Sequence, residues 1–169
     1  MTRNIRWRRL GVLCSLALAG APGAAPAQEA AQEPAEIIEG VWLTDSQSEM
    51  TIARCLEGFC GYISKIVITE EIVAKYGNDV KAIGTNFTDY NNKDPALRSR
   101  PIQGLQILTL RASNSPFVYE GEIYNPEDGN VYAGAVEVTG ADSITLKGCV
   151  LYVLCQEQQW TRVPQIVGE

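Results

Sequence analysis

From Glu39 onward the chain is written as short β-rich runs separated by turn-forming residues, a rhythm that few architectures accommodate. Residues 40–44, 49–55, 59–66, 105–111, 117–124, 131–138, 143–150 and 159–163 read as eight strands. Between most of them stand Asp45-Ser46, Glu57-Gly58, Asn114-Ser115-Pro116, Asn125-Pro126-Glu127-Asp128-Gly129-Asn130 and Thr139-Gly140-Ala141-Asp142, residues that supply turn geometry. Ile144, Leu146 and Val150 alternate with Thr145 and Lys147, and Phe117, Tyr119 and Ile123 with Glu120 and Glu122, so each strand has one buried and one wet face. Gly121, Ala133, Gly134 and Ala135 suit tight bends or the crowded interior of a closing sheet. Eight antiparallel strands on short turns close most simply into an all-β, up-and-down barrel, which also removes exposed edges.

One stretch departs from the rhythm. Thr69 as N-cap, Glu70 and Glu71 in the first turn, Lys75 near the end and Gly77 as stop predict a short helix. From there to Ile102 the chain is poor in apolar residues, giving a long connection between the third and fourth strands that would lie across a barrel end.

Ahead of the strands, Arg3, Arg6, Arg8 and Arg9 precede the apolar run 10–19, and Ala25-Pro26-Ala27 follows. That order predicts a signal peptide over 1–27, cleaved after Ala27, and a periplasmic or secreted protein with no membrane span. Cys14 follows Leu13 inside the apolar run, which does not suit lipid attachment, and Arg8-Arg9 fits an ordinary basic n-region. Residues 28–38, rich in Ala, Glu, Gln and Pro, predict a flexible tail, and 39–165 a single domain. Without the leader, 142 of the 169 residues remain, and ten Lys and Arg against twenty Asp and Glu give a formal charge of −10. Such a surface repels phosphate backbones and anionic lipid heads, so no nucleic-acid partner is expected.

The chain has no histidine, which removes the usual general base and the commonest zinc ligand; no cofactor and no metal is expected. Cys55, Cys60, Cys149 and Cys155 allow three pairings in an oxidising compartment. A two-residue turn at Glu57-Gly58 would set Cys55 directly across from Cys60 in a non-hydrogen-bonded pair, favouring that disulfide; Cys149 with Cys155 follows by elimination.

The segments Asp89-Tyr90-Asn91-Asn92-Lys93-Asp94-Pro95-Ala96-Leu97-Arg98-Ser99-Arg100-Pro101-Ile102-Gln103-Gly104-Leu105 and Gly121-Glu122-Ile123-Tyr124-Asn125-Pro126-Glu127-Asp128-Gly129-Asn130-Val131-Tyr132, with Gly40-Val41-Trp42, Cys60-Gly61 and Trp160-Thr161-Arg162-Val163, resemble the DUF2147 family of exported bacterial proteins. The resemblance implies a calycin-type, lipocalin-like barrel and carries no established activity. This chain departs from the family pattern around 68–87, which is longer, and at Lys93, where a proline is usual. Gly40-Val41-Trp42 also resembles the lipocalin G-x-W signature, whose tryptophan plugs one barrel end under a late-strand arginine. Arg162, beside Trp160, is the matching candidate, and such stacking stabilises by roughly 0.5–2 kcal/mol.

Asp89, Asn91, Asn92 and Asp94 offer oxygen ligands, but they lack the glycine and terminal glutamate of a calcium loop, and Asx turns account for the same residues. Arg98 and Arg100 would clamp a carboxylate or phosphate, or pair with Asp89 and Asp94. Tyr124 and Tyr132 bracket a hairpin that turn chemistry explains. Asp89, Asn92, Asp94, Arg98, Arg100, Tyr124 and Tyr132 are therefore the candidate ligand- or partner-binding residues, without a catalytic one. Glu120 and Glu122 lie opposite the apolar face and belong to a solvated surface. The expectation is a non-enzymatic barrel that binds a small apolar molecule at its mouth. The alternative is an envelope-protein binder laid out like the small periplasmic inhibitors of secreted metalloproteases, or a structural protein of the envelope.

Overall fold

The computed structural model describes residues 37–150 and 154–164; the expected leader, and the expected tail up to residue 36, lie outside them. Among the described residues eight strands form one closed, antiparallel, up-and-down barrel: β1 Gly40–Leu43, β2 Glu49–Cys55, β3 Gly58–Lys65, β4 Gln106–Ala112, β5 Val118–Asn125, β6 Asn130–Gly140, β7 Ser143–Val150 and β8 Leu154–Arg162. The barrel closes where Trp42 of β1 pairs with Arg162 of β8, and Leu43 with Thr161.

Period-two alternation puts one residue set inside. The register aligns Phe59 with Leu110, Ala112 with Tyr119, Tyr119 with Val136, Val138 with Ile144 and Ile144 with Trp160, and all of these but Ala112 are buried. Burying one such large side chain stabilises by roughly 1.5–3 kcal/mol, so this set supplies much of the driving force. Gly121 faces inward where neighbouring strands press together; a Cβ there would stand 1.9 Å from the Thr109 carbonyl oxygen. Ala133 and Ala135, read as interior or bend positions, fall on the outer face instead: each alternates with an inward glycine or valine, and Ala133 is exposed.

Three boundaries differ from expectation. Ile37 and Ile38, placed in the expected tail, belong to the packed domain: Ile38 is fully buried and Ile37 packs against the core. Strand β8 begins at Leu154, five residues ahead of the expected start, since Gln156 and Gln158 take inward positions opposite Gly148 and Leu146 without being apolar. The β2–β3 turn is shifted: Cys55 stands opposite Gly58 and Cys60 opposite Ala53. Gly58 can carry the turn's departure with φ 129°, so Leu56 and Glu57 make the turn. The Cys55–Cys60 disulfide is still formed, but diagonally, with Cα atoms 5.8 Å apart, whereas Cys149 and Cys155 are bonded directly across from each other at 4.0 Å.

The long connection carries α1 Glu70–Tyr76, held by the expected Thr69 cap, whose Oγ accepts from the Ile72 amide at 3.3 Å. A second helix, α2 Asp79–Ile83, and a single 3-10 turn, Pro95–Leu97, follow.

Candidate functional site

The up-and-down order gathers the β1–β2, β3–β4, β5–β6 and β7–β8 connections at one end and the chain entry with the other three at the opposite end. The two ends are built differently. At the entry end Trp42 donates from Nε1 to the Ile38 carbonyl at 2.9 Å, and the Arg162 guanidinium carbon lies 4.3 Å from the Trp42 ring centroid. Arg162 also donates to the carbonyls of Ile37 and Glu39. Gly40 leaves room for it, since a Cβ there would meet Nη1 at 2.4 Å. The plug is thus a tryptophan, an arginine and three backbone carbonyls of the segment entering the barrel, those of Ile37, Ile38 and Glu39.

At the opposite end the barrel mouth and the connection beside it border a half-open cavity of about 1440 Å3. Met50, Ile63, Ile123, Leu146 and Trp160 form its walls and floor. Ile66, Ile72, Val80, Ile83, Phe87 and Ile102 approach it from the long connection. Polar groups on the wall are the hydroxyls of Tyr124 and Tyr132 and the amides of Gln156 and Gln158. Trp160 Nε1 donates to Gln158 Oε1 at 3.0 Å, which orients that amide.

Two polar knots fix the connection over this end. In the first, the fully buried Asp89 carboxylate accepts from Tyr124 Oη at 2.5 Å, Asn92 Nδ2 at 2.8 Å and Arg100 Nε at 2.8 Å. Burial pushes the Asp89 carboxyl up, but the hydrogen bonds from Tyr124, Asn92 and Arg100 outweigh it and hold the group below its ordinary value. Burial, reinforced by the Asp89 charge, pushes the Tyr124 phenol up. Arg98 donates from Nε to the Asn92 carbonyl at 2.8 Å, and Asp94 Oδ1 caps the 3-10 turn by accepting from Ala96. Five of the sequence candidates thus serve one another, with Asp94 beside them.

In the second knot, Lys75 Nζ at 2.9 Å and Tyr76 Oη at 2.6 Å donate to Glu127 at the β5–β6 turn. Burial raises the Glu127 carboxyl, the bonds from Tyr76 and Lys75 lower it, and lowering wins; Lys75 is correspondingly raised, first by its bond to Glu127. Asn91 Nδ2 donates to the Glu127 carbonyl at 2.8 Å and Lys93 Nζ to the Asp128 carbonyl at 2.7 Å. The turn and the connection touch so closely that a Cβ on Gly129 would lie 2.0 Å from the Asn91 carbonyl oxygen. Tyr132, the remaining candidate, donates to the Asp128 carboxylate, which the bond holds ionised against burial.

Sequence reasoning used Lys75 only as a helix-end signal and Glu127 only as a turn residue, and placed none of Lys75, Tyr76, Glu127, Gln156 and Gln158 among the site residues. For Glu127 nothing local signalled a partner 51 or 52 residues away. The glutamines did leave a signal, two polar residues at alternate positions, Gln156 and Gln158, leading up to the apolar Trp160 on the same face of β8. Among the described residues, the one cluster with metal-ligating atoms is Cys55, Glu57 and Cys60, and its two sulfurs are joined in the disulfide. No described helix is long and apolar enough to cross a membrane.

A family model described as an uncharacterized protein conserved in bacteria, DUF2147, matches residues 40–162. Among solved structures, a Helicobacter pylori protein described as belonging to the lipocalin family is 18% identical, with a TM-score of 0.60 over 75% of this chain and 83% of that one, a likeness of fold. A search of the curated proteins gives no match.

Proposed function

Because the chain belongs to the DUF2147 family of uncharacterized proteins conserved in bacteria, and its barrel is lipocalin-like, we propose that it is an exported, non-enzymatic protein that takes a small apolar ligand into the open end of its barrel. One observation carries this reading: the half-open cavity of about 1440 Å3, floored by Trp160, has room for a small molecule, whose sites run to roughly 300–1,000 Å3. Its walls are mainly aliphatic and aromatic, so a ligand that displaces water from them gains roughly 25 cal/mol per Å2 of apolar surface removed from water. Asp89, Asn92, Asp94, Arg98 and Arg100 act by holding the connection over the cavity, and Tyr124 and Tyr132 line it. The two disulfides support export, since such bonds persist in oxidising compartments.

Native mass spectrometry of the protein purified gently from its own host tests the reading. A reproducible small-molecule mass excess is the expected result. A protein-sized adduct would favour the envelope-partner alternative, and a bare chain that also fails to take up an apolar fluorophore would overturn ligand binding.

A further inference from the structure

The cavity's polar groups also restrict the chemistry of what it holds. Tyr132, Gln156 and Gln158 are neutral hydrogen-bonding groups, and all three occupy inward positions of the barrel wall. The charges bordering the cavity lie at its rim, on Lys75, Asp79, Glu127 and Asp128. Lys75, the one cation among the described residues that line the cavity, is already bonded to both Glu127 oxygens. An anionic head group would therefore find no free cation and an acidic excess. A cationic head group drawn inside would lose its hydration with only neutral amides to replace it, and burying an unpaired charge is costly. A hydroxyl, amide or ester loses little there, because side-chain amides donate and accept at once.

Resting on the ligand-binding reading above, we propose that the natural ligand is an uncharged amphiphile: an apolar tail against Met50, Ile63, Ile123 and Trp160, and a neutral hydrogen-bonding head facing Gln156, Gln158 and Tyr132. The relevant selection is by head-group charge, not by tail.

The test displaces the uncharged fluorophore N-phenyl-1-naphthylamine from the purified protein with dodecanol, dodecanoate and dodecyltrimethylammonium. These share one tail length and are used below their aggregation concentrations, at about pH 8 where the carboxylate is ionised. The expected result is half-displacement by the alcohol at a concentration about tenfold or more below either ion, a gap of about 1.4 kcal/mol. Equal or tighter binding of either ion overturns this inference and leaves the ligand-binding reading standing. Failure of the fluorophore and of all three competitors to bind overturns both. In a Gln156→Glu variant that retains its far-ultraviolet dichroism, the ammonium should gain several-fold on the alcohol. An unchanged ratio of ammonium to alcohol affinity there overturns the placement of the head group at Gln156.

Discussion

The two ends of the barrel share strands, alternation and register, yet one is filled and the other hollow. In the filled half the inward positions are Ile52, Phe59, Leu110, Tyr119, Val138 and Ile144, all buried, with the Phe59 and Tyr119 rings edge-to-face at 5.0 Å between centroids. Toward the mouth, on β3, β6, β7 and β8, small and polar residues enter the inward set, Gly61, Tyr132, Gly148, Gln156 and Gln158, beside the apolar Met50, Ile63, Ile123 and Leu146. The backbone pattern is thus indifferent to whether a barrel is packed or hollow; the size and polarity of the inward side chains decide it. The closures differ in the same spirit. The filled end is sealed by the buried Trp42 beneath the Arg162 guanidinium, both tied to backbone carbonyls of the entering segment, whereas the mouth is spanned by a connection held mainly through ionised and hydroxyl side chains.

If that contrast is right, equivalent truncations must cost unequally. Leu110→Ala in the filled half should destabilise by about 3–4 kcal/mol, because the closely packed shell cannot collapse on the void. Ile123→Ala, whose side chain already borders the cavity, should cost about 1 kcal/mol, having fewer contacts to lose. Urea denaturation of both variants measures this, and equal losses would mean that the mouth is packed in solution.

The Asp89 knot comes next in size. Asp89→Asn leaves the Arg100 guanidinium without its counter-charge; removing one partner of a buried pair costs several kcal/mol, but Arg100 is 36% exposed and water recovers part of it, so about 2 kcal/mol is expected. The dependence on pH fixes the assignment. With its folded-state value below the unfolded one, Asp89 contributes fully above about pH 4 and loses that contribution as pH falls through the folded-state value. The stability gap between the protein and the variant should accordingly be constant near neutrality and shrink on acidification below about pH 4. A gap that grew on acidification would rule out an ionised Asp89.

These knots also mark the boundary of what the sequence makes legible. Strand existence, barrel class, the Thr69 cap and the helix it starts are written locally, in alternation, capping and turn residues within a few positions of each other. The pairing of Asp89 with Tyr124 across 35 residues, or of Tyr76 with Glu127 across 51, is written nowhere locally. Each of these residues has a sufficient local explanation as a turn or surface group. The early start of β8 was hidden for a different reason. A strand lining a hollow does not need apolar residues inside, so a search for apolar alternation passes over Gln156 and Gln158.

The disulfides sit one at each end, which allows a direct comparison. Replacing Cys149 and Cys155 together by Ser removes a short loop constraint of about 2 kcal/mol, and the Cys55, Cys60 double replacement should cost a similar amount, because the sequence separations are 6 and 5. Fluorophore uptake should separate them. Only the Cys149–Cys155 bond borders the cavity, so its loss should weaken uptake several-fold while loss of the other leaves it unchanged. Parallel effects on uptake would show that the two ends are mechanically one body.

The smallest expected effect on stability belongs to Glu127→Ala, and it isolates the lid from the barrel. Lys75 and Glu127 have side chains 56% and 57% exposed, and exposed ion pairs stabilise by about 0–1 kcal/mol, so global denaturation should scarcely move. Locally the consequence is larger. Helix α1 buries no residue, and its last turn rests on the Gly77 amide donating to the Val73 carbonyl at 2.8 Å, with Lys75 and Tyr76 tied to the hairpin just beside it. Without Glu127 those two ties vanish together, and a helix this short does not persist on its own hydrogen bonds. Amide exchange at Gly77 should accelerate by an order of magnitude or more, while Ile52 and Leu110 in the filled half keep their protection. Exchange that rose equally at both places would make the connection part of the barrel's cooperative core. Exchange that rose at Gly77 alone would make the mouth a separately opening unit, the property that a ligand entering under α1 requires.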